Sequence, residues 1–357
     1  MPSLPCNASL CPAQRLTSRG LPSRPSWAHT SGGDRGEFFT PAPILELAVK
    51  FLNPADDEFV IDPACGSGGF LVETLRHVVA ALTVTRPDMT EGERKDAVLR
   101  YARTYIRGID FNPDLAKVSK MYMVLYDDGH TGIFSADSLS AITDLAAASQ
   151  AAGAGAFGSA MFDVVITNPP FGTKGKITST ERLSQYQLGR NWQRGDDDCY
   201  TPTQKLRPGG QTPEILFVER CVELLKPGGR LALVLPDGIL TNSSLRYVRD
   251  YLFNELHIIA VVSLPDGTFR QSGVNPKTSV VFGVKKGGDV QGVTEVFMCE
   301  LDRVGYDLVK KTAPMSFKRN PEGQVLRDAA GRPLVDTEVP DALAAFEQFK
   351  ADQGLPF

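Results

Sequence analysis

The residues best suited to chemistry lie in Phe162-Asp163-Val164-Val165-Ile166-Thr167-Asn168-Pro169-Pro170-Phe171, where an apolar, β-branched run stops at one carboxamide, two prolines and an aromatic ring. Val164, Val165 and Ile166 read as a parallel strand covered on both faces, and neither proline can donate to a β-ladder. The strand therefore ends at Asn168. Proline fixes its own φ and restricts the residue before it, which confines Asn168 at the carboxyl edge of a sheet, the edge where open α/β sheets bind ligands. An Asn side-chain oxygen and the Pro169 carbonyl can both accept from one exocyclic amine, while Phe171 stacks on the ring bearing it. Such a constellation suits an extruded adenine.

A second group must stand beside the first. Glu58 to Asp62 reads as a buried strand, and Pro63-Ala64-Cys65-Gly66-Ser67-Gly68-Gly69 as a tight turn into a helix from Phe70 to about Leu82. Gly66 and Gly68 allow close backbone approach to a ligand, and the free amides of the helix start favour its carboxylate. The spacing lacks the third glycine of G-x-G-x-x-G, which disfavours a dinucleotide fold. Cys65 has no His or other base near it in sequence and reads as a small loop residue. Thr104 to Gly108 predicts a second strand ending at Asp110, where a carboxylate can accept both hydroxyls of a ribose. Ile133 to Leu139 predicts a third strand and its edge, carrying Asp137 and Ser138. Ahead of these, Gly36-Glu37-Phe38-Phe39-Thr40-Pro41 reads as a loop entering a helix, with Thr40 as cap and Pro41 as first residue.

These motifs carry a resemblance. Asn168-Pro169-Pro170-Phe171 resembles the catalytic N-P-P-F/Y tetrapeptide of amino-methyltransferases, and Asp62 to Leu71 resembles the S-adenosylmethionine loop of DNA adenine methyltransferases over its whole length. Gly36 to Pro41 closely resembles the lead-in of one class of these enzymes, which includes the modification subunits of type I restriction systems. Leu225-Lys226-Pro227-Gly228-Gly229-Arg230 and the hairpin around Asn275 to Phe282, preceded by Leu264 to Phe269, complete six motifs in family order between Gly36 and Lys285. The resemblance implies an α/β fold, the Rossmann-like S-adenosylmethionine-dependent methyltransferase fold, with a seven-stranded, mostly parallel sheet and helices on both faces.

It also implies roles. Phe38, Phe39, Thr40 and Pro41 line the methionine end of S-adenosyl-L-methionine; Asp62, Pro63, Ala64, Gly66, Ser67 and Gly68 form its loop. Asp110, followed by Phe111, takes the ribose, and Asp137 with Ser138 the adenine amine of the cofactor. Asn168, Pro169, Pro170 and Phe171 are the catalytic residues, Asn168 also bordering the cofactor. The implied reaction is direct transfer of methyl to N6 of a flipped adenine, with no metal and no covalent intermediate. Double-stranded DNA is the implied substrate, and a specificity subunit and a restriction subunit are the implied partners. Two alternatives stay open at this stage. One is a methyltransferase acting on a protein glutamine or an RNA base, against which the lead-in speaks. The other is a truncated fragment that needs missing parts, because related subunits carry a helical domain before the lead-in.

Composition bounds the rest. With 357 residues, 42% of them hydrophobic, the chain can build one large domain with additions. The six cysteines and four histidines are scattered, which supports neither a disulfide framework nor a zinc site. A net charge of -4 leaves any grip on duplex DNA to local patches or a partner. No apolar run approaches the ~20 residues of a membrane span, so a cytoplasmic chain is expected. The expected organisation is a disordered or artefactual tail at 1–33, a methyltransferase domain at 34–286 and an extension at 287–357. Within the domain, Ala146 to Ala160 reads as a flexible linker. The polar stretch 172–212 reads as a long mobile loop whose basic residues approach phosphates, with Tyr186 and Trp192 free to stack on an unpaired base. Leu115, Val118, Met121, Tyr122 and Leu125 are expected to form the core stripe of one helix, and Asp237 to cap the helix beginning near Asn242.

Overall fold

The computed structural model describes residues 39–124, 132–172, 175–195, 199–270, 276–290, 293, 295–310 and 314–357. Phe38, with the rest of the lead-in up to it, lies outside the described residues, as do Lys174, Leu125 and Asn275. The chain opens with helix α1 (Ala42–Leu52), then β1 (Val60–Asp62), α2 (Gly69–Thr85), α3 (Glu91–Tyr105), β2 (Ile106–Asp110), α4 (Pro113–Val124) and β3 (Ile133–Ser135). It continues through α5 (Ile142–Ala151), β4 (Phe162–Thr167), α6 (Thr180–Ser184), β5 (Arg190–Arg194), β6 (Tyr200–Leu206), α7 (Pro213–Leu224) and β7 (Leu225–Pro236). The last elements are α8 (Asp237–Thr241), α9 (Arg246–Glu255), β8 (Leu256–Ser263), β9 (Thr278–Lys285), β10 (Phe297–Glu300) and α10 (Val339–Gln353).

Eight strands form one sheet in the order β10-β8-β9-β7-β4-β1-β2-β3, not the expected seven. Seven of the eight share a direction, and β9 runs antiparallel to both its neighbours, β7 and β8. The eighth strand is the run near Glu295 to Leu301, which docks parallel to β8 and extends that edge. From β1 the chain steps outward through β2 to β3, then returns to place β4 on the other side of β1. The reversal opens a crevice past the carboxyl ends of β1 and β4, the position where such sheets take ligands. Alternate residues of the central strands feed two cores. Val60, Val164 and Ile166 face the helices α1 and α2, while Ile61, Phe162 and Val165 face α7 and α9.

Several expectations need correction. Residues 142–151 form α5, with Leu145 and Ser149 buried, so the Ala/Gly/Ser stretch is largely a packed helix followed by a short crossing. On α4 the buried face is Ala116, Ser119, Tyr122 and Met123, whereas Met121 is 62% exposed; the face sits a little round from the predicted stripe. The C-terminal extension contributes to the core. Phe346 of α10 is fully buried and stacks on Phe51 of α1 at 3.9 Å, closing the core on that face. Asp237 starts α8 and accepts from the Ser279 hydroxyl at 2.7 Å, while Asn242 does the capping by accepting from the Ser244 N–H.

The polar stretch 172–212 is folded among its described residues. It carries α6 and the antiparallel hairpin β5–β6. Tyr186 is 1% exposed, so its ring is not available to a base: its hydroxyl donates to the Leu139 carbonyl and accepts from the fully buried Arg220. Arg220 also donates to the Ser140 carbonyl at 2.7 Å and pairs with Glu223. Glu219 receives the N–H groups of Gln187 and Leu188. Trp192 packs against Tyr247 and Tyr251. Lys176, Arg194 and Lys205 remain exposed, whereas Arg190 is tied to Ser184 and Gln204, and Arg207 lies over the Tyr247 ring.

Candidate active site

Two segments meet at the crevice. The first is the turn between β1 and α2. Gly66 stands at φ +52° and Gly68 at φ +83°, values that L side chains rarely adopt. A Cβ on Gly68 would come within 2.3 Å of the Ser119 hydroxyl oxygen, so α4 packs where a side chain would need to be. A Cβ on Gly66 would meet nothing within 4 Å, because that residue faces the open cleft. The turn is tied to β2: the Cys65 N–H donates to the Ile109 carbonyl and the Gly66 N–H to the Asp110 carboxylate, both at 2.8 Å. Asp110 also accepts from Asn112 N–H, which fixes its side chain at the end of its strand.

The second segment is the end of β4. Asn168 is 8% exposed, and its amide nitrogen donates to the Thr40 hydroxyl at 3.1 Å. Thr40 is thus not the cap of α1. Pro41 takes the cap position, its carbonyl receiving the Ile44 and Leu45 N–H groups, and the threonine side chain is left for Asn168. With its nitrogen engaged, the Asn168 carboxamide turns its oxygen out as a buried acceptor with no hydrogen-bond partner. A buried carbonyl oxygen left unpaired costs free energy, so this atom is poised to take a donor from a ligand.

The two segments share one cleft, lined by Phe39, Thr40, Leu45, Asp62, Ala64, Cys65, Gly66, Ser67, Gly69, Phe70 and Asn168. Of the expected residues, Phe39, Thr40, Asp62, Ala64, Gly66, Ser67 and Asn168 line it directly. Pro63 accepts the Ser138 hydroxyl through its carbonyl, tying the β3 edge to the turn. Leu45, Cys65, Gly69 and Phe70 were not among the expected contacts, though all but Leu45 lie within the quoted loop motif. Burial pushes the Asp62 carboxyl up to about 7, opposed by the bond it accepts from the Ala64 N–H. Burial also holds the Cys65 thiol well above its usual range, which removes it as a nucleophile.

Other expected residues stand away from that lining. Phe111 presents a 70% exposed ring beside Asp110. Asp137 accepts from the Leu139 N–H with one oxygen and pairs with Arg182 at 2.5 Å through the other. Arg182, on α6, is one of the basic residues expected to approach phosphates, and its pairing with Asp137 was not foreseen. Beyond Asn168, Pro169 is buried and Pro170 exposed. The Phe171 ring meets the edge of Phe269 at 6.4 Å and 86°. Among the described residues no three His, Cys, Asp or Glu side chains gather to hold a metal, and no helix is long and apolar enough to cross a membrane.

The family model described as N-6 DNA Methylase matches residues 25–321. The chain is 27% identical over 296 residues to the type I restriction enzyme StySPI methylase subunit of Salmonella potsdam, covering 82% of this chain and 48% of that protein. It is equally similar, with the same coverage, to the type I restriction enzyme EcoKI methylase subunit of Escherichia coli K12. Among solved structures, a chain from work on the assembly and conformational transition of the type I R-M system superimposes with a TM-score of 0.56 at 24% identity, covering 92% of this chain and 54% of that one. That likeness establishes the Rossmann-like fold and nothing finer. The chain spans about half the length of the curated relatives it matches.

Proposed function

Because this chain belongs to the N-6 DNA methylase family, we propose that it transfers a methyl group from S-adenosylmethionine to N6 of an adenine extruded from duplex DNA. The cleft residues fit that cofactor by the chemistry of their donors. The amide-rich start of α2 suits a carboxylate, Asp62 once deprotonated an ammonium, and the Phe39 and Phe70 rings apolar groups, while beside the cleft Asp110 suits a ribose and the exposed Phe111 ring a stacked group. When bound, S-adenosylmethionine supplies a methyl group activated by its sulfonium. The chain's own work is to orient the acceptor. The Asn168 oxygen and the Pro169 carbonyl take the two N–H bonds of the adenine amine, which draws the nitrogen towards tetrahedral geometry and exposes its lone pair. Phe171 stacks on the base, and the confined backbone before two prolines keeps these groups in place without reorganisation.

One observation carries the reading: the unpaired, buried Asn168 oxygen stands in the wall of the cleft formed by the glycine turn, at the ends of adjacent strands. The relatives named as type I methylase subunits support a finer proposal, that this chain works in the cytoplasm as a modification subunit. It would do so with a specificity subunit that chooses the site and a restriction subunit that cleaves. The exposure of Lys176 and Lys205 in the 175–211 segment supports a reading in which that segment approaches phosphates.

Asn168→Ala tests the core of the proposal. Cofactor affinity should change by no more than about twofold, while methyl transfer to duplex DNA should fall by about 1,000-fold or more, the scale of losing a preorganised acceptor. Transfer measured with and without a specificity subunit, with RNA and glutamine peptides as controls, separates the substrate classes. Undiminished transfer by the variant would remove Asn168 from the mechanism.

A further inference from the structure

The wall behind Phe171 is built by the end of the Leu264 to Phe269 motif, and that motif is held from outside by residues that belong to none. Phe269, which meets Phe171 edge-on, is 1% exposed and closes the turn 265–270. That turn is tied internally. The Thr268 N–H and hydroxyl both donate to the Pro265 carbonyl, at 3.2 and 2.6 Å, and the Arg270 N–H donates to the Gly267 carbonyl. It is then clasped from outside by residues 306–309. The Tyr306 hydroxyl donates to the Thr268 carbonyl at 3.3 Å, and the Arg270 guanidinium donates to the Val309 carbonyl at 3.2 Å. Gly267 stands at φ +90°, and a Cβ there would lie 2.9 Å from the Leu308 carbonyl oxygen, so the two backbones are in close contact. Tyr306 and Leu308 pack on the same core as Phe269. The clasp is itself anchored, Val304 pairing with Thr337 and Tyr306 with Met315, while the Leu301 N–H donates to the Ser263 carbonyl at the end of β8.

We propose that Tyr306 is a positioning residue for the target base: by holding the Thr268 carbonyl it fixes Phe269, and Phe269 sets the tilt of the Phe171 ring on which the base stacks. The inference rests on the reading of Phe171 as the stacking ring. For a half-buried ring at the margin of the core, an edge-to-face partner favours one orientation over others. A platform ordered in advance spares the incoming base the cost of ordering it. The C-terminal segment then takes part in acceptor recognition, although it lies past every residue the reaction uses.

The test uses the full chain, with the partner subunits that support transfer, and two variants, Tyr306→Phe and Gly267→Ala. Tyr306→Phe removes only the hydroxyl. It should raise KM for duplex DNA about three- to tenfold, with kcat and cofactor affinity within about twofold, because only preorganisation of the acceptor site is lost. With 2-aminopurine at the target adenine, the fluorescence change on binding should shrink in the same proportion. Gly267→Ala, which forces the turn off Leu308, should exaggerate both effects. A reading independent of DNA is the fluorine resonance of 4-fluorophenylalanine incorporated at Phe171, which should shift in both variants. An unmoved resonance with unchanged KM would overturn the proposal, as would an equal loss of cofactor affinity, which would mark the clasp as general scaffolding. If the wild-type chain transfers no methyl group to DNA with any partner, the functional reading fails. The fluorine signal still decides the clasp: a shift sustains it and no shift overturns it.

Discussion

The glycine turn after β1 and the folded segment between β4 and α7 flank the same edge of the sheet, and they are held in place by different means. In the turn the backbone does the holding: positive φ at Gly66 and Gly68, N–H groups donated to Asp110 and to the Ile109 carbonyl, and a close approach to Ser119. The segment is held by buried side chains that reach across the chain. Tyr186 bonds Leu139, 47 residues away, and Arg220 bonds Ser140, 80 residues away. Gln211 donates to both the Leu188 carbonyl and the Tyr247 hydroxyl. Geometry held by backbone conformation demands particular residue types at fixed spacing. Geometry held by distant side-chain partners demands only that each partner be present somewhere.

The largest effect should come from the turn. Gly68→Ala must place a Cβ at φ +83° and 2.3 Å from the Ser119 oxygen, in a face of α4 that is fully buried. The left-handed conformation alone costs roughly 1–2 kcal/mol, and relief of the overlap adds a similar amount. An unfolding free energy from urea denaturation lowered by that sum and cofactor affinity reduced about 100-fold are expected. Gly66→Ala shares the positive φ but meets open space, so it should pay only the conformational part and bind cofactor within about tenfold of wild type. Equal losses at the two glycines would show that backbone angle alone, and not the packing of α4, shapes the turn.

Arg220→Met probes the other mode of support. It leaves the Tyr186 hydroxyl and the Ser140 carbonyl without a buried charged donor, for a cost of about 2–4 kcal/mol, while Glu223 keeps its contact with water. Because the glycine turn does not rest on Arg220, cofactor affinity should fall less than in Gly68→Ala even where the stability losses match. Chemical denaturation with titration calorimetry on the same samples checks both halves. A cofactor loss as deep as that of Gly68→Ala would dissolve the distinction between the two regions.

The same distinction accounts for what the sequence disclosed. The strand ending at Asn168, the turn after Asp62 and the acid closing β2 are legible because glycine, proline and β-branched residues act on the local backbone. Thr40 was misread because a threonine before Pro-Ala-Pro suits an N-cap equally well. Only the fold brings Asn168 near enough to claim its hydroxyl. Residues 172–212 look like a solvated loop because few of their own residues are apolar. The order of the described ones comes from Glu219, Arg220 and Tyr247, which belong to other elements. Met121 was placed inward by a helical count that fits several faces, and packing selected the face that puts Ser119 under Gly68.

The smallest effect belongs to the pair between Arg182 of α6 and Asp137 past β3, where the folded segment meets the β3 edge that Ser138 ties to the turn. Both side chains are partly in water, 40% and 23% exposed, so solvent screening limits the pair to about 0.5–1 kcal/mol. Asp137 keeps its bond from the Leu139 N–H in Arg182→Gln and loses only the restraint on its second oxygen. If that oxygen receives the adenine amine of the cofactor, affinity should drop about two- to fivefold in the variant, and the drop should shrink as salt rises. A gain in affinity would reverse the sign of the contact: Arg182 would then be a competitor that the cofactor displaces, and the segment would be closed over its own site. Titration of the wild type and the variant at low and high ionic strength separates the two, because support and competition respond to screening in opposite directions.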